Sequence, residues 1–166
     1  MSLRLLYERD LDLPALRALV TGIAADRAAW TPLVNLDIEH RHYAQLWRDD
    51  HLDVWVISWM NGHDTGFHDH DLSRGAVAVV EGELVEERLT IGGPPRRRAY
   101  GAGTTFEFDA SHVHRMLQDN GVPAVSIHAY SPPLWRMGSY EFGADGTLRR
   151  RSISYAEELR PAESAG

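Results

Sequence analysis

The sequence predicts a mostly β protein, a sandwich or barrel preceded by two N-terminal helices. Three observations carry this expectation. From about residue 51 onward, short runs rich in Val, Ile, Phe, Tyr and Trp alternate with Gly, Pro and Asp, which is the pattern of strands and turns. At least seven such runs occur, enough to close two sheets on one another. The first fifty residues instead space their apolar side chains at helical intervals. At 166 residues, 43% hydrophobic and 25% charged, the chain has the size and composition of one folded domain. Within it, residues 1–50 are expected as a helical segment packed on the barrel, 51–155 as the barrel and 156–166 as a frayed tail with nothing to pack against.

Each element has a local cause. Pro14, Leu16, Leu19, Val20 and Ile23 recur at helical spacing with Asp12 placed to cap them, so a helix is expected over roughly 13–28. Ile38, Tyr43, Leu46 and Trp47 predict a second amphipathic helix over 37–50. The expected strands are Leu52–Met60, Gly75–Val80, Glu83–Thr90, Thr104–Phe108, His112–Leu117, Ala124–Tyr130 and Ser139–Phe142. Glu81-Gly82, Gly92-Gly93-Pro94-Pro95, Asn120-Gly121 and Asp145-Gly146 supply turn chemistry between them. The basic triplets Arg96–Arg98 and Arg149–Arg151 admit a phosphate-binding reading, but solvated strand ends on an acidic protein explain them better.

Charge and composition exclude several classes. Seventeen Lys and Arg against 24 Asp and Glu give a formal charge of −7, which repels phosphate backbones and argues against a nucleic-acid partner. The absence of cysteine removes disulfides, thiolate metal sites, iron–sulfur clusters and a cysteine nucleophile. Arg4, Glu8, Arg9 and Asp10 interrupt any apolar signal-peptide core, and no stretch approaches bilayer length, so a cytoplasmic protein without a membrane partner is expected.

The chemistry lies in the nine histidines. In His68-Asp69-His70 the two imidazoles are two residues apart, so in an extended strand both reach one metal ion while Asp69 points away. Gly62, five residues, His68, one residue, His70 and then Gly82 reproduce the spacing of the first cupin motif. Gly103, five residues, Asp109, one residue, Ser111, two residues and His114 keep the spacing of the second, with Asp109 and Ser111 in place of the usual Pro and Gly. The chain therefore resembles the cupin superfamily, which implies a double-stranded β-helix, or jelly-roll barrel, and makes His114 the third ligand beside His68 and His70. Most cupins place a Glu three or four residues beyond the His-x-His pair. Here Arg74 and Gly75 stand in that region, so no carboxylate ligand is supplied. Three neutral imidazoles accept iron, zinc, copper or nickel, and spacing does not choose among them. His63 and His112 read as supporting or surface residues.

A second constellation is Ser126, His128 and Tyr130, which alternate along one strand and share a face. A chain from hydroxyl to imidazole to phenol can lock the imidazole's tautomer and aim the Tyr130 hydroxyl as a proton donor; Tyr130 as a barrel-filling aromatic is the competing reading. With the His68 and His114 motifs, the run from Ser126 into Ser131-Pro132-Pro133 resembles the cysteine dioxygenase family of thiol dioxygenases over roughly residues 40–153. The resemblance implies iron(II) on His68, His70 and His114, a catalytic Ser126-His128-Tyr130 triad, and oxidation of a small thiol by O2 to a sulfinic acid. Cysteine, 3-mercaptopropionate, cysteamine and ergothioneine are the candidate substrates, and the protein is expected as a monomer or homodimer. The cysteine that crosslinks to the active-site tyrosine in the animal enzymes falls at Gly75, so Tyr130 should stay unmodified. The family's carboxylate-binding arginine falls in register at His42 or Tyr43. Either a small shift lets a neighbour grip a carboxylate, Arg41 being the candidate and Arg48 close by, or the substrate is not cysteine. The competing functions are a metal cupin with another dioxygenase or isomerase activity, and a cupin that binds a ligand without turnover.

Overall fold

The computed structural model describes residues 7–154. The tail expected over 156–166 lies outside them. Among the described residues, eleven strands form two sheets that face each other as the expected double-stranded β-helix, with two short helices against the outside.

Helix α1 (Leu13–Ala25) starts where predicted: the Asp12 carboxylate accepts the Ala15 N–H at 2.9 Å, and Pro14 occupies the first turn. It stops at Asp26, and α2 (Arg27–Trp30) with the 3-10 turn Thr31–Leu33 follows. Leu16, Val20 and Ile23 form the buried stripe of α1.

Residues 37–50, expected as the second helix, correct that expectation. They contain strand β1 (His42–Arg48), paired antiparallel with β2 (Asp53–Trp59), and a bulge between Gln45 and Trp47 breaks the register. The bulge explains the misleading pattern, because one extra residue turns a two-residue alternation into apolar gaps of three and four. Tyr43 packs inside the barrel, whereas Leu46 and Trp47 both pack on its outer core.

The remaining strands are β3 (His68–Asp69), β4 (Arg74–Glu81), β5 (Glu83–Arg88), β6 (Arg96–Gly101), β7 (Thr105–Phe108), β8 (His114–Leu117), β9 (Ala124–Ser131), β10 (Arg136–Phe142) and β11 (Leu148–Ser154). One sheet runs β1-β2-β9-β4-β7 and the other β11-β10-β3-β8-β5-β6. Both basic triplets lie in the edge strands of the second sheet, β6 and β11, where charge discourages pairing with another chain. Arg97 pairs there with Glu87 at 2.9 Å and with Asp119.

The central strand β9 is buried along its whole length and divides two cores. Its Val125, Ile127 and Ala129 face outward and pack with Leu16, Val20 and Ile23 of α1 and with Val54, Val56, Ala76 and Ala78 of the neighbouring strands. Its other face looks into the barrel, whose core is more aromatic, with Trp59, Tyr100, Phe106, Phe108 and Tyr130. Among the described residues, no helix is long and apolar enough to cross a membrane.

Candidate metal centre

The three motif histidines converge inside the barrel. His68 on β3 and His114 on β8 are direct cross-strand partners, and His70 sits at the exit of β3. Their ring centroids are 4.7 to 5.1 Å apart, and one nitrogen from each lies within 4.8 Å of the others. All three are buried, and burial is the main cause that lowers their pKa values, that of His68 to about 3, so the rings are neutral and hold lone pairs for a cation.

Hydrogen bonds select the nitrogen each ring presents. His68 Nδ1 lies 3.0 Å from the Gly66 carbonyl, which can only accept, so Nδ1 carries the proton and Nε2 the lone pair. His114 Nδ1 lies 2.8 Å from the Glu86 carboxylate, with the same consequence. His70 is different: both of its ring nitrogens are buried without a hydrogen-bond partner. An orphaned imidazole in a barrel interior is costly, and a metal ion at the triad satisfies it. The donor set thus fits a divalent cation of the imidazole-binding class.

Asp69 points away from the cluster, as alternation requires. It accepts the Arg150 guanidinium at 2.7 and 2.9 Å, the Tyr140 hydroxyl at 2.6 Å and the Gly138 N–H at 3.0 Å. Burial raises its pKa, but these bonds outweigh burial and hold the carboxyl at about 2. One of the basic triplets therefore anchors the strand that carries His68 and leads into His70.

Ser126, His128 and Tyr130 share the barrel-facing side of β9. Ser126 Oγ lies 2.8 Å from His128 Nε2, and His128 Nδ1 lies 3.2 Å from the Tyr130 hydroxyl. The Trp59 indole, a donor only, gives its N–H to Ser126 Oγ at 2.8 Å, which leaves the serine to donate to His128 Nε2. His128 then carries its proton on Nδ1 and donates it to the tyrosine oxygen. Burial holds His128 neutral, with its pKa at about 3. The Tyr130 ring lies 5.1 Å from that of His70, so the row and the triad face one another.

Members of both, His68 and His114 from the triad and His128 and Tyr130 from the row, line a narrow cavity of about 40 Å³. Arg41 is at its wall, its guanidinium 5.0 Å from the Tyr43 and Trp59 ring centres and donating to the Tyr43 hydroxyl. Arg48 is drawn elsewhere, to Asp53 at 2.5 Å and over the Trp135 ring. Trp55, Trp59 and Met116 supply apolar wall. Trp135 is 64% exposed and Phe67 stacks edge-on against Phe142. Gly75 stands in register opposite Tyr130, and a Cβ there would collide with the Phe108 ring.

Sequence reasoning missed Glu86. It is 6% exposed and bonds both His114 and His112, whose Nε2 lies 2.7 Å from the same carboxylate oxygen. The available signal was its place two residues from the core residue Leu84 on one strand face. His63 is not part of the triad; its ring accepts the Met60 N–H at 3.0 Å and braces a loop.

A family model described as cysteine dioxygenase type I matches residues 2–142. Cysteine dioxygenase type 1 of Danio rerio is 26% identical over 122 residues, covering 66% of this chain and 61% of its own length. The chain thus spans about three-fifths of the length of that relative. Among solved structures, a protein from Thermus thermophilus is 16% identical with a TM-score of 0.55, over 61% of this chain and 92% of its own. A cupin superfamily protein from Desulfitobacterium hafniense is 11% identical with a TM-score of 0.53, over 62% and 87%. These structural likenesses establish the fold.

Proposed function

Because the chain belongs to the cysteine dioxygenase type I family, we propose that it is an iron(II)-dependent thiol dioxygenase, adding both atoms of O2 to the sulfur of a small thiol to give a sulfinic acid in the cytoplasm. The observation that carries this reading is the meeting of three neutral imidazoles with the Ser126-His128-Tyr130 row, the Tyr130 ring against that of His70 and His68, His114, His128 and Tyr130 lining one narrow cavity. His68, His70 and His114 would hold the iron, which when bound supplies a site for the thiolate and the electrons that activate dioxygen.

The protein's own residues supply position and protons. Tyr130, oriented by the His128 Nδ1–H on its oxygen, donates a hydrogen bond to charge developing on oxygen. Ser126, fixed by Trp59, sets the His128 tautomer. Arg41 binds a carboxylate on the thiol, and the rings it stacks on keep its guanidinium at the cavity wall. Trp55, Trp59 and Met116 exclude water, which strengthens these interactions. The narrow cavity favours a small substrate over a polymer.

The test is oxygen uptake by protein reconstituted anaerobically with iron(II), against cysteine, 3-mercaptopropionate, cysteamine and ergothioneine, with mass detection of the sulfinate. A carboxylate-bearing thiol should be consumed one for one with O2. Arg41→Gln should raise KM for that thiol by about 10- to 100-fold, as expected for one charge-assisted contact, and leave cysteamine unaffected. Tyr130→Phe should keep the metal and lose about a hundredfold in rate. Iron bound at one per chain with no uptake on any of the four thiols would overturn the proposal.

A further inference from the structure

Most cupins place a carboxylate among the metal ligands, and this chain has Arg74 and Gly75 in that region. A buried carboxylate nevertheless reaches the triad from behind. Glu86 stands on β5 opposite Met116 of β8, beside the strand that begins with His114. Its Oε1 accepts the His114 Nδ1–H at 2.8 Å and the His112 Nε2–H at 2.7 Å, and its Oε2 accepts the Tyr100 hydroxyl at 3.2 Å. His112 is itself fixed, its ring stacked on that of Phe108 at 5.3 Å and 17°.

We infer that Glu86 is the positioning residue for His114, fixing its tautomer and ring orientation so that Nε2 faces the metal and binds it more strongly than a neutral partner would allow. The inference rests on the reading that His68, His70 and His114 hold the metal. A neutral imidazole has one proton, and the partner that takes it decides which nitrogen keeps the lone pair. His68 has a backbone carbonyl behind it and His70 has no partner; of the three, only His114 has a formal charge behind it. The negative charge that a carboxylate ligand would bring is thus delivered through one imidazole. His112 holds Glu86 from the other side.

Glu86, His112 and His114 also come close enough to form a cation site of their own. Their geometry favours the positioning role, because both carboxylate oxygens already have donors and a cation there would replace two ring hydrogen bonds.

The experiment titrates metal-free full-length protein with Co²⁺ and Zn²⁺ against a competing chelator, recording the cobalt visible spectrum and, on zinc-loaded protein, the histidine tautomers by ¹⁵N NMR. Glu86→Ala should weaken metal binding by about 10- to 100-fold and alter the cobalt spectrum. Glu86→Gln, nearly isosteric and keeping one acceptor oxygen, should fall between, with His114 still protonated on Nδ1. It carries the test where the alanine variant does not fold. Parent affinity, spectrum and tautomer in the folded Glu86 variants would overturn the inference. If His70→Ala loses metal while the Glu86 variants do not, the inference alone fails. If His70→Ala keeps full affinity while Glu86→Ala abolishes binding, the metal sits on Glu86, His112 and His114, and the triad reading fails with it.

Discussion

Strand β9 has two faces that have been put to opposite uses. Outward, Val125, Ile127 and Ala129 bury against Leu16, Val20 and Ile23 of α1, aliphatic side chains that carry no polar atoms. Inward, Ser126, His128 and Tyr130 are just as buried, yet every one bears a polar group held in a specific bond. The two-residue period of an extended strand makes this possible, since neighbours along the chain never compete for the same side. Stability can thus be concentrated in a layer that the chemistry does not touch, and the barrel interior can tolerate buried imidazoles that a sole core could not.

The sharpest way to break this division is on the inner side. His70→Ala should remove more than about a hundredfold of metal affinity, beyond what loss of a supporting residue costs, and all measurable turnover. Because the mutation also deletes a buried ring with two unpartnered nitrogens, the metal-free protein should melt no lower than the parent by more than a small margin. A large drop in the melting temperature of the metal-free variant would mean that the inner face holds the fold together as well.

On the outer side the expectation reverses. Ile127→Ala opens a cavity between α1 and the sheet and should cost about 2 to 5 kcal/mol in urea unfolding, with KM and metal affinity nearly unchanged in the fraction that is folded. Equal losses of stability and of metal affinity would show that the two faces are coupled through β9.

A gentler effect, spread over pH rather than felt at once, comes from the inner face. His128 has a folded pKa of about 3, below the ordinary value near 6.5, so its neutral form is favoured by folding. The stability it contributes is fully present above about pH 6.5 and is lost as pH falls toward 3. In metal-free protein, His128→Gln should therefore flatten the decline of unfolding free energy between pH 6 and 4 by about 1.4 kcal/mol per pH unit, the value for one proton. Parallel slopes in parent and variant would show that His128 is solvated or protonated in the fold.

Much of this is legible in the sequence. The histidine spacings named the triad and the β9 row, because ligand geometry on a strand is a local matter of alternation, and the structure brings those six residues together inside the barrel. Asp69 turning away from the cluster followed from the same rule. The segment 37–50 departs from the expected helix, since the bulge at Gln45 and Trp47 imitates helical spacing, and only the pairing with β2 reveals a strand. Strands β6 and β11 were not among the expected runs, because they lie at sheet edges, where solvent removes the apolar alternation that marks a strand.

The sequence by itself determined the β class, the capped first helix and the two histidine motifs, all set by interactions among residues a few positions apart. Only the tertiary structure decided that Arg41, and not Arg48, stands at the cavity, because Asp53 and Trp135 claim the latter. Only it brought Glu86 behind His114, 28 residues away, and Arg150 onto Asp69, 81 away. Such partners are chosen by which strands lie side by side, and strand order depends on the closure of the whole barrel rather than on any local pattern.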